Sequence, residues 1–362
     1  MTNFSQRLEN ITPEILSKIA KIDEIKGRWA EGVNLSPQLL GRLKKSVLVT
    51  SSGASTRIEG SRLSDEDVEK FIKGLNINKF RDRDKQEVQG YYELLENIFN
   101  AWKSVSFSES SIKHLHHELL KYAQKDVRHR GDYKKTENDV SIFDADGKPI
   151  GVVFETTRAY LAPKQTQELV LWTQKALEEK KYHPLLITGN FVVEFLKIHP
   201  FQDGNGRLSR ILTNLLLLKS GYGFAPYISH EKIIEDNKTE YYLALQKSQK
   251  TFDGVNEDIV AWLKYFLKIL EIQAVLAIDL LSAEKIESLL SPKQILVWNY
   301  LSEISETTAG EIVKNTGVLR PTVNQSLDRL LKMKKIQRIG MGRTTRYKII
   351  GKVSLEPELG TK

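Results

Sequence analysis

The most constraining feature of this chain is the spacing of its apolar residues, which recur every three or four positions over most of its length. This is the period of an α-helix that buries one face. Ser64 with Asp67 three residues later also resembles a capping box, which predicts a helix through Phe71 ending at Gly74. The pattern predicts a mainly α-helical body. Its clearest helical segments are Ile11–Ile25, Leu39–Val49, Val88–Trp102, Ile112–Tyr122, Leu169–Leu177 and Leu185–Ile198.

One stretch departs from the helical pattern. Residues 140–143 (VSIF) and 150–154 (IGVVF) are β-rich and lie on either side of Asp146-Gly147. Asp-Gly between such runs predicts a β-hairpin. A single hairpin is marginally stable without support from the rest of the protein. Two interpretations remain open, a solvent-exposed connector and a flap over a site.

Charge is distributed unevenly along the chain. The net charge is +8, and residues 291–351 contain eleven basic and only four acidic residues. The rest of the chain is therefore close to neutral, and the excess belongs to a C-terminal unit. The chain has no cysteine, which excludes a disulfide scaffold, a thiol nucleophile and a cysteine-ligated metal.

The apolar segments do not predict a membrane protein. The first ten residues are polar, without the apolar stretch of a signal peptide. Leu263–Leu281 is apolar but carries four charged residues, which favours a packed helix over a membrane span. We therefore expect a soluble cytoplasmic protein with no membrane partner.

The C-terminal unit follows a predicted linker near Ser282–Pro292 and has a different pattern. It predicts a winged helix-turn-helix with helices Pro292–Leu301, Thr308–Asn315 and Pro321–Met333 and strands Ile336–Ile339 and Arg346–Ile350. Basic and polar side chains at the third helix and the wing suit contacts to DNA. Docking of a protein and packing within the chain remain alternatives. The candidate contact residues are Arg320, Thr322, Asn324, Gln325, Arg343 and Arg346.

The densest chemistry lies in residues 199–210, HPFQDGNGRLSR, which follow an apolar helix ending near Ile198 and lead into a second one at Leu208–Leu218. A glycine-flanked turn that opens a helix presents free backbone N–H groups to an anion such as phosphate. Gly204 and Gly206 would let the backbone approach a ligand closely. The segment therefore predicts a phosphate-binding turn.

The side chains of this segment fit the same interpretation. Arg207 and Arg210 lie three residues apart on the second helix and can bind phosphate oxygens bidentately. Asp203 offers the kind of oxygen ligand that Mg²⁺ shares with substrate phosphates. His199 can accept a proton near neutral pH. A calcium loop does not fit, because the sixth residue counted from Asp203 is leucine.

Residues 199–210 resemble the signature of the Fic family, H-x-F-x-[D/E]-G-N-G-R-x-x-R, at every fixed position. The resemblance implies a helical Fic core and an Mg²⁺-dependent enzyme that moves AMP from ATP to a Ser, Thr or Tyr hydroxyl of target proteins and of itself. Alternatives within the family are another phosphate-containing donor and the removal of AMP. A further alternative is a DNA-binding regulator whose core senses nucleotide.

The resemblance also implies roles for individual residues. His199 would deprotonate the target hydroxyl, and Asp203 would hold Mg²⁺. Arg207 would contact the β- and γ-phosphates, and Arg210 the γ-phosphate. The anion hole for the α- and β-phosphates would be formed by Gly204, Asn205 and Gly206. Candidate contacts to adenine or ribose, with core packing as the alternative for the two tyrosines, are Tyr241, Tyr242 and Gln249.

Two further segments resemble family elements. Gly131–Lys134 is similar to the G-x-[FY]-R segment that precedes the family's flap, with lysine in place of arginine. The flap would then be the hairpin Val140–Phe154, which could pair with an extended target segment. It is longer than the usual flap. Its candidate target-contacting residues are Val140, Ile142 and Val152.

Residues 55–60, STRIEG, fit the family's inhibitory motif [S/T]-x-x-x-E-[G/N], here N-terminal to the core as in class II members. Ser55, Glu59 and Gly60 are its fixed positions. The resemblance implies that Glu59 pairs with Arg210 and hinders the γ-phosphate. A solvated glutamate at a helix end is the alternative. We expect an N-terminal helical region at 1–110, a Fic core at 111–282 and a winged helix at 290–351.

Overall fold

The computed structural model describes residues 4–9, 11–32, 37–74, 82–138, 140–143, 149–154, 156–252, 254, 256–287, 290–340 and 345–350. The chain divides into two compact units, Met1–Leu281 and Ser282–Lys362. The described residues are mainly α-helical, which confirms the predicted fold class. None of the helices described combines the length and apolar character that crossing a membrane requires.

The first unit contains eleven described α-helices, three short 3-10 helices and one described pair of strands. Each helical segment named from the sequence lies in one of them, although the boundaries differ by several residues. The helices are α1 Pro13–Gly32, α2 Pro37–Ile58, α3 Asp65–Ile72, α4 Asp82–Ala101, α5 Glu109–Leu119, α6 Ala162–Glu179, α7 Pro184–Ile198, α8 Asn205–Lys219, α9 His230–Asp236, α10 Lys238–Gln249 and α11 Val260–Glu287, and the strands are β1 Val140–Phe143 and β2 Pro149–Phe154.

Helices α7 and α8 form the centre of this unit. Nearly every side chain in both is buried, including the apolar run Leu215–Leu218 and polar residues such as Asn190 and Asn214. A helix that is buried all round must be covered on every face. The surrounding helices do this, and the turn 199–204 that joins α7 to α8 lies among them.

Helix α2 extends nine residues beyond the predicted Leu39–Val49. Its second half is buried although it consists largely of small and polar residues. The hydroxyl groups are satisfied locally, because Ser52 donates to the Leu48 carbonyl at 2.7 Å and Thr56 donates to the Ser52 carbonyl at 2.9 Å. The apolar period ends where these residues begin, so the sequence pattern could not predict this extension.

The hairpin expected at residues 140–154 is confirmed as an antiparallel pair. Ser141 lies opposite Val152 and Val140 opposite Phe154, with irregularities in the register. The predicted Asp146-Gly147 turn lies outside the described residues.

The second unit has the predicted winged-helix order. Gly317 takes the left-handed conformation (φ +67°) between its second and third helices. Thr307 also pairs with Tyr347, which adds an extended residue to the wing. The elements are α12 Pro292–Glu303, α13 Ala309–Thr316, α14 Arg320–Lys332, β3 Ile336–Ile339 and β4 Arg346–Ile349. The core of the unit is built from Val297, Trp298, Leu301, Ile312, Val323, Leu327, Leu330 and Ile336.

The predicted linker at Ser282–Pro292 is partly wrong. Helix α11 continues to Glu287, so the first half of the expected linker is helical. The residues there include alanine, glutamate and lysine, which favour helix even without an apolar period. Residues 288–289 lie outside the described chain.

A buried ion pair attaches the N-terminal segment to the core. Arg7 is 3% exposed, and its guanidinium contacts Glu194 of α7 at 2.5 Å as well as Glu257. The Arg7 side chain also stacks on Phe252 at 3.6 Å. Burial lowers the pKa of Arg7, but the two carboxylates outweigh it, so the pKa is raised and the charge is retained. The pair therefore depends on both partners being present.

Removing one partner tests this dependence. We expect Arg7→Ala to lower the free energy of unfolding of the first unit by about 3–5 kcal/mol, because Glu194 would be left as a buried, uncompensated charge. Urea unfolding followed by circular dichroism measures the change. The matched control is Arg28→Ala, since Arg28 is 55% exposed and its pairing with Glu24 at 3.7 Å should contribute less than about 1 kcal/mol. Equal losses in both variants would contradict the expectation.

Candidate active site

His199 is held in a strained and defined orientation at the end of α7. Its φ angle is +50°, in the left-handed region that non-glycine residues seldom adopt. Its Nδ1 lies 3.2 Å from the Leu196 carbonyl oxygen, which can only accept, so Nδ1 carries the proton. Nε2 is then the free proton acceptor. Burial lowers the pKa of His199 to about 4, which keeps the ring neutral at pH 7.

The turn after His199 is locked by Asn205. The Asn205 side chain accepts from the Phe201 N–H at 2.9 Å and donates to the Phe201 carbonyl at 2.7 Å. Gly204 adopts φ +79°, a conformation that favours glycine, and precedes the first turn of α8. Because the Asn205 side chain is engaged in this way, the predicted phosphate contact of Asn205 rests on its backbone N–H. The helix N-terminus supplies the positive end of the dipole.

Arg210 is buried and surrounded by acceptors from α2. Its Nε donates to the Ser55 hydroxyl at 2.8 Å, and its Nη2 donates to the Ser55 carbonyl at 2.9 Å and to Glu59 Oε1 at 2.8 Å. Burial lowers the pKa of Arg210, but the charge of Glu59 outweighs it and the pKa is raised. Arg210 Nη1 has no hydrogen-bond partner among the described residues.

The end of α2 explains why Glu59 reaches this position. Gly60 takes φ +101°, its N–H donates to the Arg57 carbonyl, and the next N–H donates to the Thr56 carbonyl. This is the Schellman arrangement, which needs a residue that tolerates positive φ after the helix. Glu59 is thereby placed at the last turn of α2. A Cβ at Gly206 would lie 2.2 Å from Glu59 Oε1, so the carboxylate rests against the first turn of α8.

Arg207 is paired with a second N-terminal carboxylate. Its guanidinium is 2% exposed, and Nη1 lies 3.0 Å from Glu87 Oε2 of α4. Nη2 donates to Asp203 Oδ1 at 3.3 Å. Burial lowers the pKa of Arg207, but Glu87 and Asp203 raise it overall. Both arginines of the motif are thus neutralised by carboxylates that lie outside it.

Both oxygens of the ionised Asp203 carboxylate accept hydrogen bonds. Its Oδ1 accepts from the Gly204 N–H at 2.6 Å as well as from Arg207, and its Oδ2 accepts from Arg83 Nη2 at 2.8 Å. Burial raises the pKa of Asp203, but the charges of Arg207 and Arg83 and the Gly204 N–H outweigh it, so the pKa is lowered. The described residues contain no cluster of three or more metal-ligating side chains. One carboxylate beside an arginine and a helix N-terminus fits Mg²⁺, which commonly takes its remaining ligands from water and substrate.

His116 is a functional-site residue that the sequence reasoning missed. Its Nδ1 accepts from the Gly131 N–H at 2.9 Å, so the proton of the neutral His116 ring is on Nε2. This is the opposite tautomer to that of His199. The Nε2–H of His116 then donates to the Asp203 carbonyl at 3.0 Å, and its ring stacks on Phe201 at 3.8 Å. Burial lowers the pKa of His116 to about 4, so the ring holds the turn as a neutral donor. In the sequence, His116 is one residue of a predicted amphipathic helix, and nothing next to it indicates that it binds the turn at Asp203.

Lys134 stands where the family segment has arginine, and its side chain lies next to the C-terminal end of α7. Its ammonium donates to Asn138 and to Thr156, each at 2.8 Å, and to the Ile198 carbonyl at 3.2 Å. It therefore joins the residues on both sides of the hairpin to the C-terminal end of α7. A cation at the end of a helix is also favoured by the helix dipole.

The predicted flap residues Val140, Ile142 and Val152 lie in the paired strands β1 and β2. Their side chains are outside what the structure describes. Their contacts with a target segment remain predictions.

The predicted adenine and ribose contacts lie in a packed region. Tyr241 is 4% exposed and has its ring 5.9 Å from that of Trp262, and Tyr242 packs against Tyr241 at 5.2 Å. Gln249 is 6% exposed and donates to the Val193 carbonyl at 3.0 Å. All three side chains have packing roles in this structure, so nucleotide contacts by them stay predictions.

A buried carboxylate outside the motif connects the surrounding helices. Glu231 of α9 accepts from Ser51 of α2 at 2.8 Å, from Tyr91 of α4 at 2.9 Å and from Asn214 of α8 at 2.8 Å. Burial raises the pKa of Glu231, but His230 and these donors lower it overall. Glu231 was not predicted. The sequence around Glu231 contains no pattern that indicates hydrogen bonds from three other helices.

The structure describes five of the six predicted nucleic-acid contacts of the second unit. Arg320, Asn324 and Gln325 are exposed on α14, opposite its buried face, and Thr322 is partly exposed. Arg346 pairs with Glu306 at 3.0 Å. Arg343 lies outside the described residues.

Comparison with known proteins identifies both units. The model of the Fic/DOC family matches residues 106–217. A second model, described as Transcriptional regulator DIP2311-like, C-terminal domain, matches residues 293–350. The first match spans α5 to α8 and contains the whole of the 199–210 segment. The second spans the winged helix.

Individual relatives agree with these matches. A Fido domain-containing protein of Dictyostelium discoideum is 34% identical over 109 residues, which cover 28% of this chain and 69% of that protein. The protein adenylyltransferase Fic of Aedes aegypti is 40% identical over 65 residues, 18% of this chain and only 12% of that enzyme. The solved structure of a Fic family protein from Desulfovibrio desulfuricans G20 has a TM-score of 0.61 at 26% identity and covers 95% of this chain and 98% of that one. The chain belongs to the Fic/DOC family.

Proposed function

We propose that this protein transfers AMP from ATP to a hydroxyl side chain of a protein and that Glu59 inhibits the transfer. The observation that carries the proposal is the grouping of Asp203, in the turn before α8, with Arg207 and Arg210 in the first turns of α8. The neutral ring of His199 begins the same turn, with Nε2 as its proton acceptor. Relatives that carry the name protein adenylyltransferase support it, although this chain spans only 12% of the Aedes enzyme.

In the proposed reaction His199 Nε2 accepts the proton of the target hydroxyl. The hydroxyl oxygen forms a bond to the α-phosphorus, the bond from that phosphorus to the oxygen bridging the β-phosphate breaks, and pyrophosphate leaves. Arg207 and Arg210 orient the phosphates, and the first N–H groups of α8 stabilise negative charge. Mg²⁺ bound at Asp203 would neutralise phosphate charge.

Inhibition follows from the position of Glu59. Its carboxylate engages Arg210 at 2.8 Å and rests against Gly206. A γ-phosphate at this position would meet a like charge and would lack the donor it needs. ATP would then bind in a pose unsuited to attack, so α2 would act as an internal competitor for phosphate.

Substitution of the inhibitory residue tests the proposal. We expect Glu59→Gly to raise AMP transfer about 10- to 100-fold, the effect of losing a charge-assisted interaction of about 1.5–3 kcal/mol. Adding His199→Ala should abolish the transfer. Incorporation of labelled AMP from ATP and Mg²⁺ into the protein itself and into lysate proteins measures both. Glu31→Gly, an exposed position in α1, is the matched control. Equal labelling by wild type and Glu59→Gly would refute the inhibitory role.

The low pKa of His199 leads to a pH prediction. A base that is neutral down to about pH 4 stays active as the pH falls through 6.5, where an ordinary histidine becomes protonated. Glu59 raises this pKa, so its removal lowers it further. In Glu59→Gly we therefore expect kcat/KM to be level from pH 8 to about pH 5.5. An acidic limb centred near pH 6.5 that reports the base would contradict this assignment.

A second candidate function is binding of duplex DNA by the second unit. The exposed polar face of α14, the excess of basic residues in 291–351 and the match to the C-terminal domain of a transcriptional regulator favour it. Contacts to phosphate would dominate the affinity and make it depend on salt.

A mobility-shift titration across a salt series tests the second function. Arg320→Glu is expected to weaken binding of a duplex about tenfold or more at low salt and to reduce the salt slope by about one. Lys293→Glu, at the exposed start of α12, is the control and should have a smaller effect. Absence of salt-sensitive binding to any duplex would favour docking of a protein.

A further inference from the structure

Helix α4 carries a pair of charges that matches a second pair at the start of α8. Arg83 and Glu87 are four residues apart and bond to each other through Nε and Oε1 at 2.7 Å. Asp203, in the turn before α8, and Arg207, in its first turn, are likewise four residues apart, with 3.3 Å between Oδ1 and Nη2. Between the two segments, Arg83 bonds to Asp203 and Glu87 pairs with Arg207. The four side chains form a closed ring of alternating charge.

This ring uses the atoms that the reaction would require. Arg83 Nη2 lies 2.8 Å from Asp203 Oδ2, and the other oxygen, Oδ1, already accepts from Gly204 and Arg207. A divalent cation binds a carboxylate oxygen at about 2.0–2.1 Å. It would therefore meet the guanidinium charge at close range and be repelled by it. Arg83 and the cation thus compete for the same carboxylate oxygen.

Arg83 is suited to reversible occupation. Its side chain is 50% exposed, whereas that of Glu87 is 8% exposed. Release of Arg83 toward water costs little, since a half-exposed ion pair contributes little to stability. Glu87 keeps its second partner, Arg207, after that release, so no buried carboxylate is left unpaired.

We propose that Arg83 is a positioning residue that occupies the metal-ligating carboxylate of Asp203 and sets the divalent-cation concentration at which the site can be loaded. The inference rests on the proposed function only in assigning Asp203 to the metal. It differs from inhibition by Glu59, which acts on Arg210. Glu59, at the end of α2, would thus affect the γ-phosphate, and Arg83, on α4, would affect the cation.

The test measures cation binding directly on the full chain. Mn²⁺ is titrated into the protein saturated with ADP, and bound Mn²⁺ is followed by electron paramagnetic resonance. Arg83→Gln keeps a similar length and removes the charge. We expect it to lower the Mn²⁺ dissociation constant about 3- to 10-fold. Asp203→Asn should remove the signal of this site, which shows that the bound ion is the relevant one.

The matched control is Arg28→Gln. Arg28 is also an exposed arginine in an i,i+4 pair, with Glu24, at 55% exposure. The Arg28→Gln variant loses one positive charge, as Arg83→Gln does, and should leave the Mn²⁺ dissociation constant unchanged. An equal tightening in Arg83→Gln and Arg28→Gln would mean that only net charge matters and would overturn the proposal.

The remaining outcomes are also decisive. Unchanged or weaker Mn²⁺ binding in Arg83→Gln, with ADP saturation verified, would overturn the role of Arg83, and weaker binding would indicate that Arg83 contacts the nucleotide instead. Tighter Mn²⁺ binding without AMP transfer by Glu59→Gly would leave the role of Arg83 intact and refute the proposed activity. Circular dichroism verifies that each variant is folded.

Discussion

Two buried guanidinium groups set the arrangement of this protein. Arg207 and Arg210 are each 2% exposed in the centre of the first unit. A charge in that position is retained only if it is paired and hydrogen-bonded. The turn at 199–204 supplies Asp203 alone, which reaches Arg207 but leaves Arg210 without an anion. The other carboxylates come from Glu59 at the end of α2 and Glu87 on α4, so these helices must pack beside α8.

Further buried or partly buried charges join the N-terminal helices to the core, because these charges also require partners. Glu231 gathers donors from α2, α4 and α8, and Arg57 of α2 pairs with Glu235 at 2.5 Å and with Asp65 at 2.8 Å. These bonds hold the last turn of α2 independently of Glu59. In the proposed mechanism a phosphate would replace one internal carboxylate at a time while the helices stay in place. Binding then becomes an exchange of anions at a preformed site.

The parts of this protein that the sequence predicted share one property. They are contiguous in the chain, as in residues 199–210 and 55–60, or they follow a local period, as in the winged helix. Gly60 shows how a local pattern carries geometry, because a Schellman end needs a residue that tolerates positive φ. The roles of His116, Glu87, Arg83 and Glu231 could not be found in this way. Each depends on at least one partner that is 87 or more residues away in the chain.

Local order in the sequence was enough to specify a helical body, a glycine-flanked turn that opens a helix and a separate basic winged helix. Short-range spacing controls helix periods, caps and turns directly, so these features could be inferred without tertiary contacts. Only the tertiary structure decided which acidic side chain pairs with which basic one. Asp203 bonds to Arg83 and Arg207 to Glu87 because α4 packs against α8, and packing of distant segments has no local signature. Burial then makes those pairings obligatory, since an unpaired charge in the interior is too costly to persist.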